Sequence, residues 1–353
     1  MTKRAWMRLA ATVALAAVAV TPTEEAQAAN PSKYKLVWDD FKSGFDASGG
    51  PNARWFYFSA LPFVGDDGIE YTSKKHGLTV VPPGHNPWNG NPAFTSTVAQ
   101  EDDGGLLGGL DHVKWLVYMN HTASSGYPGF DAEPNRELSC ETWVKAKTYG
   151  TKKNPFGVCD PEDDPRLAAV GANSIDFETF MVFDFFITNE TVYALYERLP
   201  FGRATLGNYA AFTFMVPVAS AHPDHENHLR VGYNKSAGVV KWYVDDEEVF
   251  SVDNIGHRID RDYMTIDHGG VEEDVSPNQI DCGMGLFTLL DGHLPSEEGL
   301  VRLSSEPNFY FDPEVGEPAP QTFVDEESLE ESRIWGQGAR IDVKKYVVSS
   351  KKP

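Results

Sequence analysis

Three short acidic patterns carry the side chains best suited to chemistry. They are Glu137-Leu-Ser-Cys-Glu141, Ser174-Ile-Asp176-Phe-Glu178 and Glu190-Thr-Val-Tyr-Ala194. In an extended strand, residues two and four apart share a face. Each pattern would line acidic groups along one side of a sheet, where neighbouring carboxyls of different acidity can divide acid and base roles. The first keeps two glutamates, with Ser139 between them. The second keeps Asp176 and Glu178, with Ser174 at its head. Read as one strand, it places Asp184 on the same face as a substrate contact, with Ile175, Phe177, Met181, Phe183 and Phe185 on the other. The third keeps only Glu190, followed by Val192 and Ala194. Each is also what the polar side of any half-exposed strand looks like.

Other residues offer weaker chemistry. His268 stands in Asp267-His-Gly-Gly270. A titratable ring beside two glycines could sit at a cleft edge with backbone donors, and a glycine turn with a chance histidine accounts for it as well. His222, His225 and His228 recur every third residue, a spacing suggestive of metal ligands, but a strand entry does not bring imidazoles to one point. No zinc spacing is present, and no metal or cofactor is assigned. A structural calcium could sit only at Glu101-Asp-Asp103 or at Asp160 to Asp164; neither has an EF-hand pattern, so solvated loops explain them better. Trp88 lies in Pro87-Trp-Asn-Gly90, a loop too rich in Pro and Gly to bury it easily. An exposed indole gives an apolar face on which a sugar ring stacks.

The elements that must position these residues are strands. No long stretch shows a 3.6-residue apolar period. Short β-rich runs separated by Gly, Pro, Asn and Asp dominate, among them 35–41, 54–59, 77–81, 113–119, 137–147, 175–187, 191–199, 209–218, 284–290 and 339–348. So many strands predict an all-β antiparallel sandwich of jelly-roll type. Residues 150–166 and 304–322 are Pro- and acid-rich excursions from one domain covering 29–353. The clearest local signal is a hairpin, His228-Leu-Arg-Val-Gly-Tyr233 and Val239-Val-Lys-Trp-Tyr-Val-Asp-Asp246, joined by Asn234 to Gly238.

That hairpin resembles the paired central strands of glycoside hydrolase family 16 and its concanavalin-like relatives. The ends agree. Lys35-Leu-Val-Trp-Asp-Asp-Phe41 is similar to the family's first strand, Arg54-Trp55 to its basic-Trp pair, and Gly77-Leu-Thr-Val-Val81 to the next strand. Ala339-Arg-Ile-Asp-Val-Lys-Lys-Tyr346 is similar to the closing strand, which pairs beside the first. The order of motifs covers most of the chain. The resemblance implies a retaining mechanism run by Glu-x-Asp-x-Glu, with two carboxyls about 5 Å apart. No intact copy is present. By distance from the hairpin, Glu190 to Ala194 is the best positional match, which would put Val192 and Ala194 where two acids are expected. The chain also resembles a family of secreted actinobacterial proteins without a named function.

Composition limits the partners. The net charge is −22, which disfavours nucleic acid and anionic membrane. Lys3, Arg4 and Arg8, an apolar run from Leu9 to Val20 and Ala26-Gln-Ala28 predict a signal peptide over 1–28, hence secretion without membrane insertion. Removing three basic and two acidic residues takes −22 to −23. Of Cys140, Cys159 and Cys282, the favoured bridge is Cys140–Cys159, with three reduced thiols an equal alternative. Three functions stay open: an enzyme on extracellular polysaccharide or oligosaccharide with altered acids, a non-catalytic glycan-binding or cell-surface module, and a repurposed sandwich acting on a small molecule through His268.

Overall fold

The structure, a computed structural model, describes residues 33–60, 63–82, 112–295, 297–334 and 337–352. The described strands are β1 (Tyr34–Asp39), β2 (Trp55–Tyr57), β3 (Ser59–Ala60), β4 (Phe63–Val64), β5 (Ile69–Ser73), β6 (Gly77–Val81) and β7 (Val113–Met119). There follow β8 (Phe130–Asp131), β9 (Glu137–Tyr149), β10 (Ala169–Asp176), β11 (Met181–Ile187), β12 (Thr191–Arg198), β13 (Phe212–Ser220) and β14 (Asn227–Asn234). The last are β15 (Val239–Val244), β16 (Glu247–Val252), β17 (Met264–Asp267), β18 (Gln279–Phe287), β19 (Gly299–Val301), β20 (Phe323–Asp325) and β21 (Gly338–Lys351).

Two antiparallel sheets pack face to face as a jelly-roll sandwich. The eight-stranded sheet runs β16-β15-β14-β9-β21-β6-β5, with β1 also pairing β21. The nine-stranded sheet runs β17-β13-β12-β11-β10-β18-β7-β2, with β8 beside β18. The predicted hairpin is β14 and β15, Val231 opposite Trp242. The closing strand lies beside the first, Leu36 opposite Val348.

Alternation sets the core. In β11, Met181, Phe183, Phe185 and Ile187 point between the sheets, while Val182 and Phe186 belong to a second apolar layer outside. β12 likewise sends Val192, Ala194 and Tyr196 inward and Tyr193 and Leu195 outward. Facing them from the other sheet are Leu229, Val231, Val240 and Trp242. The nine-stranded sheet thus carries apolar residues on both faces, with acids interspersed among them on the outer one.

A disulfide joins the sheets. Cys140 on β9 and Cys282 on β18 both face the core, with Cα atoms 5.7 Å apart. This corrects the expected Cys140–Cys159 pairing: Cys159 is free and exposed. Sequence proximity misled, because Cys140 points inward from its strand while Cys159 stands on a surface loop.

Candidate functional site on the outer face of the nine-stranded sheet

The strongest concentration of acid lies on the outer face of the nine-stranded sheet. Asp184 on β11 is opposite Leu195, and Glu197 on β12 is opposite Val182, so the two acids are diagonal neighbours on one face. Asp281 on β18 lies opposite Ile175 of β10, on the same side. Tyr118 on β7 lies opposite Gly283. A Cβ at Gly283 would stand 2.5 Å from the Tyr118 ring, so the glycine lets the ring lie across the strand.

Each acid is held by local donors. Asp184 accepts the Ser174 amide at 2.6 Å and the Asn173 side-chain amide. Glu197 accepts the Thr213 hydroxyl at 2.6 Å. Asp281 accepts the Cys282 amide at 2.9 Å. Among the described residues none of the three has an ion-pair partner. Burial, opposed by the Thr213 bond and helped by the charge of Asp291, pushes the half-buried Glu197 up to about 7. Burial also drives Asp184 and Asp281 well above the usual carboxylate range. The Tyr118 phenol is raised in turn, first by burial and then by the charges of Asp184, Asp281 and Glu197. Leu289, Phe309, Tyr310 and Phe323 pack over this face. A protonated Glu197 in that setting can donate a proton near neutral pH.

The structure places the sequence candidates differently. The stretch 174–185 is a hairpin, not one strand. β10 ends at Asp176, and the chain reverses through Phe180, whose φ is 62°. Asp176 is fully buried and accepts the amides of Glu178 and Thr179 at 3.1 and 3.2 Å. Burial raises it despite those bonds. It braces the turn rather than sharing a face with Asp184. Glu178, in the turn, accepts the Asn278 amide at 2.9 Å.

Glu137 and Glu141 lie on the outer face of the other sheet. Glu137 is 2.7 Å from Arg230 and 3.4 Å from Lys351; Glu141 is 2.8 Å from His228 and 3.2 Å from Lys35. Basic side chains occupy both carboxylates. Glu190 is exposed in the β11–β12 turn, and Val192 and Ala194 are fully buried in the core. Those two positions face inward, so no acid was to be expected there.

His268 is buried, bonded through Nδ1 to the Phe309 carbonyl at 2.6 Å, and pushed down to about 4 by burial. It is a neutral packing residue. The histidines at 222, 225 and 228 do not converge: His228 stacks on Trp143 at 4.2 Å. Among the described residues no cluster of three or more His, Cys, Asp or Glu could hold a metal ion. In the calcium candidate at 160–164, Asp164 binds Arg166 at 2.6 Å, and Asp163 accepts the Thr191 hydroxyl at 2.8 Å. Trp88 and the acids at 101–103 lie outside the described residues.

Two members of the site escaped the sequence reading. Glu197 and Arg198, adjacent in sequence, leave opposite faces of β12. Arg198 covers the Tyr209 ring at 3.8 Å and reaches Glu273 at 2.8 Å. Asp281 lies on β18 just ahead of the run read as a strand at 284–290. The period of two through Tyr193, Leu195 and Glu197 was the available signal.

Residues 38–352 match the Family of unknown function (DUF6081). An uncharacterized protein of Acanthamoeba polyphaga mimivirus is 32% identical over 287 residues, 66% of this chain and 62% of that protein. The chain therefore spans less than two thirds of that relative's length. The expected actinobacterial kinship finds no support, since this relative is viral. Among solved structures, BuGH16Bwt matches at TM-score 0.41 and 8% identity, over 90% of this chain and 92% of that one. The Bacillus licheniformis beta-glucanase matches at 0.37 and 8%, over 92% and 100%. Likenesses this distant carry no argument about chemistry.

Proposed function

We propose, for a chain that belongs to the family of unknown function DUF6081, that it is a secreted, carbohydrate-directed sandwich protein of divergent glycoside hydrolase type. One observation carries the reading: Glu197, half-buried and pushed up to about 7, is the diagonal neighbour of Asp184 on one sheet face and has no ion-pair partner among the described residues. Glu197 gives its proton to the leaving oxygen while a water attacks the anomeric carbon as that bond breaks and loses its own proton to solvent, and Asp184, fixed by Ser174 and Asn173, is the carboxyl beside Glu197. The ordered family 16 motifs support sugar as the substrate class. The Cys140–Cys282 disulfide and the N-terminal signal pattern support secretion.

Reducing-sugar release from a panel of β-glucans and galactans tests this. We expect release by the full chain and a loss of about 10²-fold or more in Glu197→Gln, with Glu190→Gln as the exposed-turn control. Equal release by Glu197→Gln would overturn the assignment.

A second reading is favoured by the cover of Phe309, Tyr310 and Phe323 over the same face. There the protein binds glycan without cleaving it. Retardation in glycan-loaded gels with no release from any polymer would establish that alternative.

A further inference from the structure

A second polar recess is built beside the start of β18. A cavity of about 270 Å³ is lined by Ser124, Ser125, Asp131, Glu133, Lys235 and Asn278. Its walls are fixed by hydrogen bonds. Asp131 Oδ1 accepts both the amide and the hydroxyl of Ser124, at 3.0 and 2.6 Å. The Lys235 ammonium donates to Asn278 Oδ1 at 2.6 Å, and the Asn278 amide donates to Glu178 at 2.9 Å. Behind them the fully buried Gln279 accepts the Ser125 hydroxyl and donates to Asp176 and Glu178. A buried amide–carboxylate pair is expensive to desolvate. Here, besides bracing the β10–β11 turn, it fixes the pocket residues Ser125 and, through Glu178, Asn278.

We infer that this pocket binds one hydroxyl-rich ring, a single sugar unit. Once the wall is satisfied, Asp131 Oδ2 and the Glu133 carboxylate still accept, and Lys235 and Asn278 still have N–H groups to give. A hydroxyl both donates and accepts, so adjacent hydroxyls match that mixture. A bare cation would meet the Lys235 charge, and a bare anion would meet Asp131 and Glu133. The volume suits one ring. The Asp176–Glu178 pattern thereby finds its place as the support of a binding pocket, apart from the Glu197 face.

The full chain is titrated calorimetrically with glucose, galactose and N-acetylglucosamine, and in parallel with calcium chloride. At least one sugar binds, and its affinity falls about tenfold in both Asp131→Asn and Lys235→Met, each losing one charge-assisted hydrogen bond. Unchanged thermal midpoints show that the variants fold; should Asp131→Asn fail to fold, Glu133→Gln gives the same reading. Absence of sugar binding, equal affinity in the variants, or binding of calcium alone overturns the proposal. The assay reads no turnover, so it stands or falls separately from hydrolysis at Glu197.

Discussion

The two outer faces of the sandwich bury acids in opposite company. On the eight-stranded sheet, Glu137 and Glu141 are each met by two basic groups, Arg230 with Lys351 and His228 with Lys35. On the nine-stranded sheet, Asp184, Glu197 and Asp281 are met by amides and a hydroxyl, and the charge of Glu197 adds at Asp184. The first arrangement spends negative charge on holding strands together. The second raises its carboxyls by burial, Glu197 to about 7, which is the condition for acid chemistry near neutrality. The neighbours, rather than the spacing of glutamates along a strand, decide which face can react.

Cutting the link between the faces has the largest expected effect. Cys140→Ala with Cys282→Ala opens a crosslink spanning 142 residues, and the loss is about 4 kcal/mol in urea unfolding. The freed nine-stranded face should also let Glu197 titrate closer to an ordinary carboxylate. A loss below about 1 kcal/mol would mean that packing alone holds the sheets in register.

Next comes a direct contrast of the two environments. Arg230→Ala strands Glu137 in a nearly closed site and should cost about 3 kcal/mol, less whatever Lys351 recovers. Thr213→Val removes one neutral donor from Glu197 and should cost about 1 kcal/mol, while raising that carboxyl further. Equal costs, measured by denaturant midpoints, would erase the distinction between a charge-paired face and a proton-holding one.

The architecture was legible in the sequence because period-two patterning survives in nearly every strand. The β14–β15 hairpin and the inward tryptophan of β15 follow from it, while the β1–β21 pairing is what the family 16 resemblance implied. The site was less legible. Phe177 and Phe183 suggested one continuous alternation, and the reversal at Phe180 broke it, because a positive φ at phenylalanine has no composition signal. The family 16 triplet set Val192 and Ala194 at acid positions, against the parity of Tyr193 and Leu195. That parity alone puts Glu197 outside and its neighbours in the core. The disulfide was beyond local reading, since its partner lies 142 residues away.

The finest test of the contrast is a pH slope. Glu197 is raised from 4.5 to about 7, so between those values the native chain holds a proton that the unfolded chain has released. Stability therefore falls as pH rises through that window, and Asp184 and Asp281, raised in the same direction, add to the fall. Below the unfolded value both states are protonated, and above 7 the cost of burying the Glu197 charge is fully present. Glu197→Gln cannot ionise, so its stability relative to wild type should climb with pH across the window, by at most about 1.4 kcal/mol per unit for one proton. Urea midpoints at several pH values read this directly. Arg230→Ala should show no matching climb, since it leaves Glu197 and its donors untouched. Parallel curves for wild type and Glu197→Gln would mean that the glutamate is solvated in the native state, and the acid face would then be no different in kind from the paired one.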